Sequence, residues 1–391
     1  MKRILRFYVC FCAYMFILAS GAGFADPIRS PAWGFRLDLP AGYGLDSREG
    51  NNSFSFSSLL GTNLDTAVYQ NKTIETLAGE INQKLSNHGE TEFFEYNGKK
   101  AALIELDIRA GNPRLLGWAL CVELTPQAGI KPALAVLSYG ERADAALLHL
   151  SILDSVCAGD EDPFIPGPVT SFAWPRGKLE EVRLAGNAGS ALFCKNDAEA
   201  AQSLVDREFF VLKLYAESEL WQEALLRFYR AIYRDSFDRL KYAAFSLERF
   251  WLVDQNKGGT GESREARERV TGEKALAWVQ SFTYERDRTG SDFVNLVSAA
   301  TEGRGDCDSR AMLWAIILEQ ANISAAIMVS REYSHAMGLA LIAGTGARFP
   351  MNDAEGVPRR WLVAETTSAV QLGQIEKEVS QIDKWLGVLF E

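Results

Sequence analysis

The spacing of hydrophobic positions changes several times along this chain, and the changes divide it. Between residues 33 and 70 the segments WGFRLDLP, NNSFSFSSL and LDTAVYQ alternate apolar with polar, the pattern of strands with one buried face. Ile74, Leu77, Ile81 and Leu85 then fall on one side of a helix that Gly89 ends. Strands follow in ETEFFEYNG, KKAALIELDI, RLLGWALCVEL and ALAVLSYGE, with Asn97-Gly98 as a hairpin turn, and ADAALLHLSILDSV closes the unit as a second helix. Residues 26–162 therefore predict an antiparallel sheet carrying two helices, an α+β module.

Pro163, Pro166, Pro168 and Pro175 punctuate a connector, after which KLEEVRLAG and SALFCKN read as short strands of a small β unit, so that 163–196 form a joint. The pattern then turns helical over 198–234 and 237–254. Aromatic and leucine stripes there, Phe209, Tyr215, Trp221, Phe228 and Tyr229 among them, read as a packing face. The pair resembles one or two tetratricopeptide-like units without showing a full repeat period. Residues 256–269, NKGGTGESREARER, are polar and glycine-containing and predict a flexible loop that ends the helical region 197–269.

The last segment, 270–391, carries the candidate chemistry. In GRGDCDSRAMLWAIILEQ, Met312, Leu313, Ile316, Ile317 and Gln320 recur at helical spacing, and Gly303 and Gly305 force a turn before them. This predicts an amphipathic helix with Cys307 at its N-terminus, where unpaired backbone N–H groups and the macrodipole lower a thiol's pKa. Asp308 reads as the helix cap. After Cys307 the chain has a single histidine, His335, which opens the apolar strand AMGLALIA behind a shorter one at AAIMVS. RWLVAETT is the next strand and ends in Glu365, placed to orient an imidazole. Asp353 competes for that role from the polar insertion MNDAEGVP, which reads as a loop. VQLGQIEKEVSQIDKWLGVLF predicts a final helix.

The run GDCDSRAMLWAIILEQANI, followed by SHAMGLAL and WLVAETT, resembles the transglutaminase-like superfamily of papain-like cysteine enzymes over roughly residues 275–368. That family carries G-D-C-x-x-x-A-x-L on its nucleophile helix, H-A at a strand start and W-x-x-x-D-x-T at a strand end. The resemblance implies a papain-type α+β domain with Cys307 as nucleophile, His335 as general base and Glu365, in place of the usual Asp, as the orienting acid. KALAWVQSFTYERD is similar to the family's preceding helix. By that likeness Gln280 is the side-chain oxyanion donor, together with the Cys307 backbone N–H. The implied activity is attack on a peptide or protein amide through an acyl-thioenzyme, hydrolytic by expectation, with transamidation and a non-catalytic binding or scaffold role as alternatives. The order of elements in 26–162 is similar to the PsbP and Mog1 type of fold, a likeness of layout without a diagnostic motif. It suggests docking, to an envelope partner for example, since His88 and His149 have no thiol or carboxylate at a telling spacing.

Composition narrows these readings. A chain of 391 residues predicts two or three domains, and a net charge of −10 argues against nucleic acid as a partner. Residues 1–25 have Lys2, Arg3 and Arg6 before an apolar run and small residues up to Ala25, a signal peptide that predicts export to a periplasmic or extracellular space. No other stretch is long and apolar enough to span a membrane. Its removal leaves Cys121, Cys157, Cys194 and Cys307, of which Cys121 and Cys157 could pair in an oxidising compartment. With three histidines and no CxxC spacing, neither a metal nor another cofactor is expected.

Overall fold

The structure, a computed structural model, describes residues 27–86, 89–109, 113–159, 164–253, 263–286 and 291–390. The expected signal peptide, His88 and Pro163 lie outside the described residues, as does the first half of the loop expected at 256–269. The architecture is α+β and multidomain: an antiparallel-sheet region, a helical middle, and a C-terminal part of sheet and helix.

A small hairpin, β1 (Ile28–Ser30) with β2 (Phe35–Leu37), precedes the main N-terminal sheet. That sheet takes β3 (Tyr43–Glu49), β4 (Ser53–Ser58) and β5 (Thr62–Gln70), then helix α1 (Ile74–Leu85), then β6 (Thr91–Tyr96), β7 (Lys99–Ile108), β8 (Leu115–Glu123) and β9 (Pro132–Gly140). Its strand order is β3-β4-β5-β9-β8-β7-β6, antiparallel throughout. Helix α2 (Ala146–Asp154) follows. Successive residues of a strand face opposite sides, so Ala119 and Cys121 pack under α1 while Leu120 and Val122 face the core that α2 joins. Asn97 and Gly98 take positive φ of 50° and 71°, the left-handed pair that a tight hairpin needs. Strand β3, an exposed edge, went unread because its residues YGLDSRE carry almost no apolar signal.

The alternation also decides the cysteine pair. Cys121 lies on the α1 side of the sheet, whereas Cys157 follows α2 and bridges to Arg36, flanked by Val156 and Ala158 of the opposite core. No disulfide joins them, so the pairing that the sequence left open is not made. A non-reducing peptide map of the purified protein is expected to recover both thiols alkylated, and a Cys121–Cys157 linked peptide would contradict this packing.

The proline-rich joint holds a short helix, α3 (Pro168–Ala173), with Pro at its first turn, where no N–H is needed. The hairpin β10 (Leu179–Arg183) and β11 (Ser190–Cys194) follows as expected. The helix break does not fall near 235: α4 spans Asp197–Lys213, and a 33-residue α5 runs unbroken over Trp221–Val253. Asp235 is polar but buried and paired with Arg239, so it continues the helix instead of ending it. Helix α6 (Arg264–Gln280) starts at a Ser263 cap, inside the segment expected to be loop.

Next come β12 (Thr283–Tyr284), α7 (Leu296–Glu302), β13 (Arg304–Gly305) and α8 (Cys307–Gln320). The C-terminal sheet takes β14 (Ala325–Ser330), β15 (His335–Ala340), β16 (Arg348–Asn352), β17 (Pro358–Ala364) and β18 (Leu386–Val388). Its order is β16-β17-β15-β14-β18, again antiparallel. The polar insertion is thus the turn of a β16–β17 hairpin. The expected C-terminal helix is instead two 3-10 turns and the edge strand β18, whose backbone pairs with β14.

Helix α8 is not amphipathic. All residues from Ser309 to Leu318 are buried, because the sheet covers one side and α5, α6 and α7 the others. One hydrophobic core runs from Leu184 through the helices to Phe390, so the small hairpin, the helical middle and the C-terminal sheet pack together. Among the described residues no helix is long and apolar enough to cross a membrane.

Candidate active site

Asp306, not Asp308, caps α8: its carboxylate accepts from Ser309 N at 2.8 Å and from Ser309 Oγ at 2.5 Å. Cys307 is therefore the first helical residue and is buried. On the sheet, β14 and β15 pair Ser330 with His335 across a tight connection, with Ser334 at φ 48°, which fixes His335 at the head of β15. Strand β17 pairs Ala364 with Gly338, and Glu365 follows at its end. The two side chains meet: His335 Nε2 lies 2.8 Å from Glu365 Oε2. The backbone N–H of Ala336, next to His335, faces the Cys307 sulfur.

The carboxylate is held tightly. Glu365 Oε1 accepts from Thr367 N at 2.7 Å and Thr367 Oγ1 at 2.6 Å, leaving Oε2 for the imidazole. Burial works to raise the Glu365 pKa, but the bonds from His335 and Thr367 outweigh it and the net shift is downward. An ionised Glu365 can only accept, so Nε2 carries the ring proton in neutral His335 and Nδ1 is left with a lone pair. That is the tautomer a base needs.

Gln280 has another task than the one its position suggests. Its Nε2 donates to Glu365 O at 2.8 Å and to Val370 O at 2.9 Å, so both amide hydrogens are engaged by backbone carbonyls. It positions the segment after β17 against α6, and neither amide hydrogen is left for an oxyanion, the role expected of it. Gln280→Leu is expected to lower the urea midpoint and to lower kcat with little change in KM. Loss of KM alone, with kcat intact, would contradict a positioning role.

Asp353 is excluded from the imidazole by its own partners: it accepts from Val357 N at 2.8 Å and Arg359 Nε at 2.7 Å in the β16–β17 turn. His149 is a core residue of the N-terminal sheet region, its Nδ1 2.8 Å from Ser138 Oγ and its pKa lowered by burial to about 4.

The thiol departs from the expected chemistry. Burial, then Asp308, then Asp306 push the Cys307 pKa well above the ordinary thiol value, and the Ala336 N–H opposes them only in part. Sγ lies 3.5 Å from Asp308 Oδ2. The helix terminus that favours a thiolate is thus overridden by two carboxylates beside it and by exclusion of water. Burial and Asp308 also raise Asp306 itself, to about 7. This direction favours the protonated thiol at Cys307 in the resting state. Its alkylation by iodoacetamide, followed by mass spectrometry, is expected to accelerate only above the free-thiol pKa of about 8.5. A rate already at its plateau at neutral pH would overturn this.

Three neighbours escaped the sequence reading. Tyr229 of α5 donates its hydroxyl to Asp308 Oδ1 at 2.5 Å, a contact across 79 positions that no local pattern reveals. Buried Arg310 donates to the carbonyls of Gly305 at 3.1 Å and Phe282 at 2.7 Å, clamping the turns in front of α8. Trp385, brought back by β18, sits with its ring centroid 6.1 Å from that of His335. Thr367 was legible, as the last position of the W-x-x-x-D-x-T pattern.

No protein-family model matches this chain, and no curated protein matches it. Among solved structures it is similar to the cyanobacterial PsbP protein CyanoP from Synechocystis sp., at 16% identity over 36% of this chain and 95% of that one, with a TM-score of 0.27. It is also similar to a Bacteroides thetaiotaomicron protein (11% identity, 54% and 78% covered, TM-score 0.23). A third likeness is to a conjectured protease from Parabacteroides distasonis (10% identity, 81% and 68% covered, TM-score 0.21). Likenesses this low carry no weight for function.

Proposed function

We propose that this chain is an exported cysteine enzyme of the transglutaminase-like class that cleaves peptide or protein amides through an acyl-thioenzyme. The observation that carries the reading is the 2.8 Å bond between His335 Nε2 and Glu365 Oε2 beside the first residue of α8, Cys307. In the proposed cycle His335 Nδ1 takes the Sγ proton as sulfur attacks the amide carbonyl. The C–N bond then breaks, and the same proton goes to the departing amine. Water next adds to the thioester, giving its proton to His335, and the thiol is regenerated as the acid leaves. The first-turn N–H of Cys307, at a helix N-terminus, favours the oxyanion. An amine in place of water turns the reaction into transamidation. The N-terminal module, with its PsbP-like order of elements, serves in this reading to dock an envelope partner.

A neutral thiol in the resting state implies that the proton moves during attack and not before it. The same observation, with Gln280 engaged elsewhere, favours the second reading, a non-catalytic binding protein that keeps the fold. Incubation of wild type and Cys307→Ala with an envelope-peptide library, read by mass spectrometry, separates the two. Products and an acyl adduct on Cys307 in wild type alone support the enzyme. Identical spectra for both proteins sink it.

A further inference from the structure

The thiol of Cys307 rests against Asp308 and not against its expected base. Sγ donates to Asp308 Oδ2 at 3.5 Å and receives the Ala336 N–H, whereas the His335 ring is bonded to Glu365 at 2.8 Å. Among the described residues no hydrogen bond joins the sulfur to the imidazole. The acceptor is itself held from a distant element, since Tyr229 of α5 donates to Asp308 Oδ1 at 2.5 Å. Burial first, then Asp308, raise the Tyr229 pKa well above the usual phenol value, so its hydroxyl keeps the proton that it donates. One carboxylate thus joins the phenol to the thiol, with an oxygen for each.

The cations nearby have other partners. Arg310 of α8 gives its guanidinium to the carbonyls of Gly305 and Phe282, and Arg286, just after β12, donates to the Tyr284 hydroxyl at 3.2 Å and lies 3.7 Å from Asp292. Asp306, the helix cap, adds a second acid, and on the sheet side His335 and Glu365 are bonded to each other. An S–H that points into a carboxylate is poorly placed to give its proton to a base elsewhere. A negative charge beside it also disfavours the thiolate, the form that alkylating agents and oxidants attack.

We infer that Asp308, held by Tyr229, is a latch on the nucleophile: it keeps the thiol hydrogen in the resting protein, and His335 receives that proton only once the sulfur has left Asp308. The inference rests on the reading of Cys307 as nucleophile and adds its regulation. While the latch is closed the S–H bond is intact. When it opens, the proton passes to His335 Nδ1 and the electron pair of the S–H bond goes to the carbon under attack. Asp308 is a positioning residue, and Tyr229 acts on the sulfur only through it.

Iodoacetamide alkylation of Cys307 in the full chain, followed by peptide mass spectrometry from about pH 6 to about pH 10, tests this without any turnover. Asp308→Asn keeps the shape of the side chain and removes its charge. It is expected to move the profile down by about one pH unit, which at about pH 8 is a reaction about tenfold faster. Tyr229→Phe leaves Asp308 Oδ1 without its donor, so the carboxylate opposes the thiolate more strongly and the reaction should slow by about threefold. In the double variant the effect of Tyr229→Phe should vanish, because no carboxylate is left for the phenol to act through. Asp308 is only half-buried and phenylalanine lacks a single atom of Tyr229, so both variants retain the fold. An Asp308→Asn profile that coincides with wild type, or a Tyr229→Phe effect of equal size with and without Asp308, overturns the latch. Profiles that move as expected in a protein that cleaves no peptide keep the latch and discard only the enzyme.

Discussion

Cys307→Ala is expected to remove amide turnover altogether, and His335→Ala to lower kcat by about 10⁴-fold or more, while both proteins unfold at nearly the wild-type urea midpoint. Alanine replaces the buried Cys307 with the loss of a single atom, and His335 is at the rim of the sheet with its side chain 18% exposed, so neither change opens a large void. Glu365→Gln should cost a similar factor for a different reason. An amide there can offer His335 a hydrogen, which favours the tautomer with its proton on Nδ1, where the thiol's proton must go. Because the base must act on a neutral thiol, His335→Ala should also slow iodoacetamide alkylation of Cys307 at neutral pH. Turnover that survives Cys307→Ala, or alkylation indifferent to His335, would leave the sulfur and the imidazole with no shared chemistry.

How much of this site could be read in the chain depended on how local its causes are. Cys307, His335 and Glu365 each mark the end of an element, and ends carry signals: two glycines before a helix, an apolar run starting at a histidine, a carboxylate after WLVA. The helix terminus is a local feature that favours a thiolate, but the burial that outweighs it is tertiary, and only the smaller contribution, from Asp308 and Asp306 on either side of Cys307, stands in the sequence. Gln280 was assigned by its neighbours in sequence, but the carbonyls that engage it lie 85 and 90 positions away. In the fold, alternating strands and the α1 stripe were legible. The break between α4 and α5 was not, since the buried Asp235–Arg239 pair looks in sequence like a polar interruption. The C-terminal segment has apolar residues at Leu372, Ile375, Val379 and Ile382, a helical spacing, yet β14 presents a free edge that the last residues fill as β18.

The same core that hid Cys307 sets the second large effect, on stability. Trp314 of α8 is fully buried, and its Nε1 donates to Gly272 O of α6 at 3.1 Å. On its other side lies Gly338 of β15, where an added Cβ would come within 2.4 Å of the indole Cε3. The ring is a wedge between the helix and the strand that starts at His335, and glycine at 338 is what lets it fit. Trp314→Ala is expected to destabilise the protein by about 3–5 kcal/mol, through a large cavity and the loss of the indole's bond to α6. Gly338→Ala should cost about 1–3 kcal/mol by overpacking, and clearly less in a Trp314→Phe background, where the smaller ring can give way. Urea unfolding of wild type, the three single variants and the double variant measures both terms. Additive costs in the double variant, or a Trp314→Ala protein within about 1 kcal/mol of wild type, would show that the strand bearing His335 does not rest on this ring.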